Sequence, residues 1–165
     1  MDMTEFAKGY FNFCSRVRLR PSQVIVSSGG ALVMLGLRET TSDLDLAIPA
    51  ETYEFLLYLL GSEKERVTEH GTFLTYSHKV SLQKLPEGIT VQTVNGVRLY
   101  SIDDLVRQKE ALIKSLGRSP CKIRQDHLDI EALKARRREM SKFPAQDPDV
   151  LQDQSTIPTR GNVYE

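Results

Sequence analysis

Phe6, Tyr10, Phe13 and Val17 recur at helical spacing and predict an amphipathic helix over roughly Thr4–Arg18. Pro21 breaks it, and the apolar run Val24–Ser28 reads as a short buried strand. Gly29-Gly30 then suggests a tight turn, and Ala31–Leu35 a short helix ended by Gly36. Beyond the polar loop Arg38–Ser42, Leu44, Leu46 and Ile48 alternate with Asp43, Asp45 and Ala47. That two-residue period is the pattern of a strand with unlike faces. Pro49 stops the strand just ahead of a helix over Glu51–Leu60, with Gly61 placed to cap it.

The next stretch predicts several short strands, at Arg66–Glu69, Phe73–Tyr76, Val80–Leu85 and Ile89–Val94. Asn95-Gly96 joins the last of these to Val97–Tyr100 as a hairpin, because a type I′ turn needs positive φ at both central positions. Ser101, followed three residues later by Asp104, resembles a capping box and opens a helix running to about Leu116. A turn at Gly117–Pro120 leads to a final helix from about Lys122 to Met140. From Ser141 the composition shifts to Pro, Gln, Asp and Thr, so 143–165 reads as an irregular tail, ordered only by docking on the domain or on a partner. The expected fold is α/β (α+β in a stricter sense): one domain over 1–142, a small mixed sheet flanked by helices, with a helical C-terminal part.

At 165 residues the chain can bury a core without disulfide or metal staples. Its 22 basic and 22 acidic residues cancel, which excludes a generally basic nucleic-acid glove and leaves room only for a local basic patch. Cys14 and Cys121 lie far apart with no metal-type spacing, as expected of thiols in a reducing cytoplasm. No basic segment followed by an apolar core marks the N-terminus as a signal peptide. The longest apolar run, around Phe55–Leu60, is too short to cross a membrane, and the expected location is cytoplasmic.

The informative chemistry lies in Ser27-Ser28-Gly29-Gly30-Ala31-Leu32, a polar loop, then Ser42-Asp43-Leu44-Asp45-Leu46. Two glycines between a strand and a helix let backbone approach a ligand closely, and free N–H groups at the helix start favour an anion such as a triphosphate. Two aspartates at i and i+2 on a strand share a face, so both carboxylates can hold one hard cation. Mg²⁺ (or Mn²⁺) suits such a pair, its other positions filled by phosphate oxygens and water. It would neutralise charge on a phosphoryl group in transfer and orient an attacking hydroxyl. A Gly-Gly turn or an Asp-x-Asp strand is common alone; both in order, with a short helix and loop between, are far more specific.

In that combination the chain resembles the DNA polymerase β-like nucleotidyltransferase superfamily, in its minimal form. Further on, Leu-Val-Arg-Gln-Lys-Glu-Ala-Leu from Leu105, then Arg118, then Arg124-Gln-Asp-His-Leu-Asp-Ile-Glu-Ala-Leu133 looks like the second half of the AbiEii-type abortive-infection toxins and related nucleotidyltransferases. The resemblance runs from about Val24 to Leu133. It implies transfer of a nucleoside monophosphate from an NTP to an acceptor hydroxyl, with RNA (a tRNA 3′ end, for example) favoured over a protein or small molecule. Catalytic roles then fall to Asp43, Asp45 and Lys109, with both aspartates on the metal. Ser28, Gly29, Gly30, Ser42 and Lys109 would contact the nucleotide. Asp126 and Asp129, three apart on one helical face, would be polar anchors, and Arg118 and Arg124 would bind phosphate or acceptor nucleic acid.

Three departures stand beside the match. Many superfamily members carry a third carboxylate on a later strand, where Val80–Leu85 offers only Ser81 or Gln83. Ala31 stands where Ser or Thr often follows the glycines, and Gln125 where a basic residue often precedes the late aspartate. These gaps keep two rivals open: a nucleotide-binding protein of the same fold without turnover, and an antitoxin-like interaction protein whose tail docks on a partner. Lys109, Asp126 and Asp129 also have a plainer reading, as an interhelix salt-bridge network on the domain surface. His70, His78 and His127 are scattered without ligand spacing, and the Lys134–Arg138 run reads as a solvated helix face.

Overall fold

The computed structural model describes residues 1–142; the expectations for the tail at 143–165 lie outside the described residues. Helix α1 (Met3–Val17) opens with a capping box in which Asp2 accepts from the Glu5 N–H and the Glu5 carboxylate accepts from the Asp2 N–H. It buries Phe6, Tyr10 and Phe13 of the predicted stripe together with Cys14, while Val17 is half-buried. The Tyr10 hydroxyl meets Pro21 O at 2.6 Å and Val24 O at 2.8 Å, which pins α1 to the chain entering the sheet.

A mixed sheet of seven strands follows. Its members are β1 (Ile25–Val26), β2 (Leu44–Ile48), β3 (Glu65–Thr68), β4 (Gly71–Ser77), β5 (Val80–Lys84), β6 (Val91–Val94) and β7 (Val97–Tyr100), in spatial order β3-β4-β5-β2-β1-β7-β6. Strand β1 runs antiparallel to β2, with Val26 opposite Leu46, and parallel to β7, with Val26 opposite Leu99. Strand β5 runs parallel to β2 with Ser81 beside Asp45. Leu44, Leu46 and Ile48 are buried in a core shared with Leu74, Leu82, Leu99 and the aromatic stripe of α1.

The remaining helices are α2 (Ser28–Met34), α3 (Ala50–Leu60), α4 (Ile102–Ile113) and α5 (Pro120–Lys142). Pro120 sits where its missing N–H costs nothing, at the first position of α5. Ser101 caps α4 as expected, accepting from the Asp104 N–H, and Asn95 and Gly96 both take positive φ, 50° and 77°. Two local expectations are corrected. The strand read at Val24–Ser28 is only two residues long, and the glycine pair is no turn. Helix α2 already starts at Ser28, so both glycines lie in its first turn, while the positive φ of 58° falls on Ser28. Among the described residues no helix is long and apolar enough to cross a membrane.

Candidate active site

The site begins where β1 becomes α2. Ser27 is buried, and its N–H and hydroxyl both donate to the Asp45 carbonyl, at 3.0 Å and 3.3 Å. This ties the corner to β2 just where Asp45 leaves the core. Ser28, held in left-handed backbone that a non-glycine residue seldom adopts, donates its N–H to Gln108 Oε1 of α4 at 3.2 Å. The two glycines serve different ends. A Cβ on Gly30 would run into the Phe6 ring, so that position is dictated by core packing. A Cβ on Gly29 would meet Arg38 Nη1 at 2.5 Å and Thr41 Oγ1 at 3.0 Å, so its bareness leaves room for an arginine.

Asp45 on β2 and Asp43 just before it emerge on one side, Asp43 exposed and Asp45 half-buried. The Ser42 hydroxyl donates to Asp43 Oδ2 at 2.9 Å. Burial, and then the negative charge of Asp43, pushes the Asp45 carboxyl above the usual carboxylate range; Ser28 and the charge of Lys109 oppose this only in part. A desolvated carboxylate beside a second one is an arrangement that a divalent cation relieves, so the residues present fit Mg²⁺ or Mn²⁺. The donor set is small: among the described residues no three His, Cys, Asp or Glu side chains converge as a metal group. The place beside Asp45 on β5 is held by the uncharged Ser81, and Gln83 donates to the Tyr100 hydroxyl at 3.0 Å.

On the facing side α4 and α5 are joined by buried charge. Lys109 is buried, with Nζ 2.9 Å from Asp126 Oδ1 and 2.9 Å from Asp129 Oδ2. Asp126 Oδ2 accepts from Arg118 Nε at 2.6 Å, and Asp129 Oδ1 from Gln125 Nε2 at 2.8 Å. Arg38 reaches across from the loop after α2 to within 3.5 Å of Asp129 Oδ2. Neither cation is aligned to donate to that oxygen, which has no hydrogen bond among the described residues. Burial alone would raise the Asp126 carboxyl, but the hydrogen bonds from Arg118 and Lys109 outweigh it and hold the group below its ordinary range. The salt-bridge network read from the sequence is therefore interior, not superficial. Lys109 is occupied by two carboxylates, and the cations left to face a ligand are Arg38, Arg118 and Lys122.

Together these residues enclose a cavity of about 240 Å³. Its walls bring together Ser28, Gly29, Ser42, Asp43, Asp45 and Lys109, and also Arg118 and Asp126. Gly30 is behind the wall against Phe6, Asp129 lies behind Lys109, and Arg124 is exposed on α5 and takes no part in the lining. Arg38, Thr41 and Lys122 line it although the sequence does not mark them as site residues, and so does Gln125, which the sequence shows only as a departure from the family pattern. For the last two a trace was present, since Lys122 precedes Asp126, and Gln125 precedes Asp129, by one helical turn. His70 meets the Ser115 hydroxyl and belongs to no metal-type cluster among the described residues.

No family model, curated protein or solved structure matches this chain. The functional reading therefore stands on the cavity and its chemistry.

Proposed function

We propose that the protein transfers a nucleoside monophosphate from an NTP to an acceptor hydroxyl, with a divalent cation held by Asp43 and Asp45. The observation that carries this reading is the cavity itself, in which a carboxylate pair faces Arg38, Arg118 and Lys122. A polyphosphate with its cation is a ligand that needs both signs of charge at one place. When bound, Mg²⁺ would neutralise phosphate charge and favour attack on the α-phosphorus. Arg118, whose Nε donates to Asp126 of α5, is oriented before any ligand arrives, and that preorganisation is what electrostatic stabilisation of a transferring group requires. The acceptor oxygen would bond to the α-phosphorus as the bond to the β-phosphate oxygen breaks; pyrophosphate leaves towards the cations and the hydroxyl proton passes to solvent. Lys109 acts at one remove, by holding Asp126 and Asp129 in place. Among acceptors, the sequence resemblance to AbiEii-type toxins favours RNA.

Incubation with each α-labelled NTP, Mg²⁺ and total RNA, beside Asp43→Asn and Asp45→Asn controls, tests this. Label entering RNA only with the unaltered aspartates is the expected result. A specific observation favours a second reading, binding without turnover: Ser81 stands in register with Asp45 where a third carboxylate would serve a second cation. Mg²⁺-dependent NTP binding with no label transferred to RNA or protein would select it.

A further inference from the structure

The cavity between the carboxylates and the cations is small for a whole nucleotide; small-molecule sites generally start at about 300 Å³. A second cavity of about 590 Å³ adjoins it, and the two share Ser28, Asp45, Arg118 and Lys122. Its walls differ in kind. Strands β3 and β4 contribute Arg66 and the half-buried Phe73, α4 contributes Ala111 and Leu112, and Ser81 and Gln83 of β5 line it as well. The His70 ring touches the Ser115 hydroxyl just beyond α4, tying the β3–β4 hairpin to the helix.

We infer that this second groove receives the nucleoside of the same NTP whose phosphates enter the cationic cavity, and that it does so with little choice among bases. The inference rests on the proposed function and extends it. Phe73 with Ala111 and Leu112 supplies the apolar, partly aromatic surface on which a base stacks, an interaction open to every base. Of its polar groups, which include Arg66, Glu69 and His70, the two glutamine amides are equally unselective. Gln108 accepts from Ser28 through Oε1, and Gln83 donates to Tyr100 through Nε2. Among the described residues this leaves the Gln108 amide N–H groups and the Gln83 carbonyl without protein partners. One donor and one acceptor match the edge of any nucleobase, since each carries an acceptor next to a donor. The shared wall argues for one ligand spanning both cavities: Ser28 and Asp45 lie between them, where the sugar and α-phosphate of such a ligand would pass. The groove thus belongs to the donor nucleotide and not to the end of an acceptor RNA, although both present a nucleoside.

The test is a calorimetric titration in Mg²⁺ of the full chain with each of the four NTPs, with inorganic tripolyphosphate, and with a short RNA bearing a free 3′ hydroxyl. Expected is NTP affinity roughly tenfold or more above that of tripolyphosphate, the increment that base stacking typically gives, with little spread among bases. Ala111→Trp fills the groove from an exposed position that folding tolerates, and Phe73→Ala removes the stacking surface. Each should bring NTP affinity down to that of tripolyphosphate while tripolyphosphate binding stays unchanged. Equal affinity of the unaltered protein for NTP and tripolyphosphate overturns the groove assignment and leaves the phosphate site standing. So does an Ala111→Trp protein that loses RNA affinity but keeps NTP affinity. If neither NTP nor tripolyphosphate binds, the groove assignment and the proposed function fall together.

Discussion

Gly29 and Gly30 are neighbours with different surroundings, one bare beside Arg38 and Thr41, the other packed on Phe6. Gly30→Ala drives a methyl group into the Phe6 ring, which has no room to retreat in the core. Overpacking of that kind costs about 1–3 kcal/mol, so a lowered midpoint in urea with NTP binding largely kept is expected. Gly29→Ala meets the end of the long Arg38 side chain, which can move, and the Thr41 hydroxyl, which must give slightly. It should lower the midpoint less than Gly30→Ala does and weaken NTP binding by displacing Arg38. Asp45 makes a related point through its charge. Its carboxyl titrates above the ordinary range because burial and Asp43 disfavour the anion, so the folded protein loses stability relative to the unfolded chain as pH rises from the ordinary carboxylate value through the raised one. Asp45→Asn should therefore raise the melting temperature at pH 7 in the presence of a chelator, and should have little such effect near pH 3. The same substitution should abolish any Mg²⁺-dependent stabilisation. A melting temperature at pH 7 lower than that of the unaltered protein would contradict this account.

At the level of elements, the pairing of α4 with α5 depends on the charges around Lys109. Removing one partner of a buried ion pair leaves the other uncompensated, typically at about 3–5 kcal/mol. Asp126→Asn should destabilise the fold by less than that, because Asp129 still faces Lys109, while Arg124→Ala, on the exposed side of the same helix, should change it little. The pH dependence of this contact has the sign opposite to that of Asp45. Asp126 titrates below its ordinary range, so its contribution is present above that range and is lost as pH falls towards the depressed value. Acid unfolding followed by far-UV circular dichroism should be shallower in the Asp126→Asn protein than in the unaltered one. Elements set by adjacent residues were legible beforehand: the Asn95-Gly96 turn, the Ser101 cap, the apolar stripe of α1 and the unlike faces of β2. The start of α2 was not, because the fit of Gly30 against Phe6 and the bond from Ser28 to Gln108 are tertiary facts.

Over the whole molecule, the aspartate pair and the lysine could be read from the chain, but their surroundings could not. Arg38 looked like one polar loop residue among several, and only folding sets it against Asp129 on the far helix. Lys109 read as a candidate phosphate contact, yet its two partners arrive with α5 and occupy it. Arg124 and Lys122 differ by two positions and are both exposed, and helical geometry alone puts Lys122 and not Arg124 on the cavity wall. The two-residue strand β1 carries a consequence of another sort. It lies between β2 and β7, so the corner bearing Ser27 and Ser28 is closed on one side by residues soon after it in the chain and on the other by residues near position 100. Contacts that distant in sequence form late and set the pace of folding. On a ribosome, Asp43 and Asp45 emerge long before Lys109, Arg118 and Lys122, so the nascent chain carries its acidic half without the cations that complete it. On the proposed function, a site for a polyphosphate is complete only when α5 has been made.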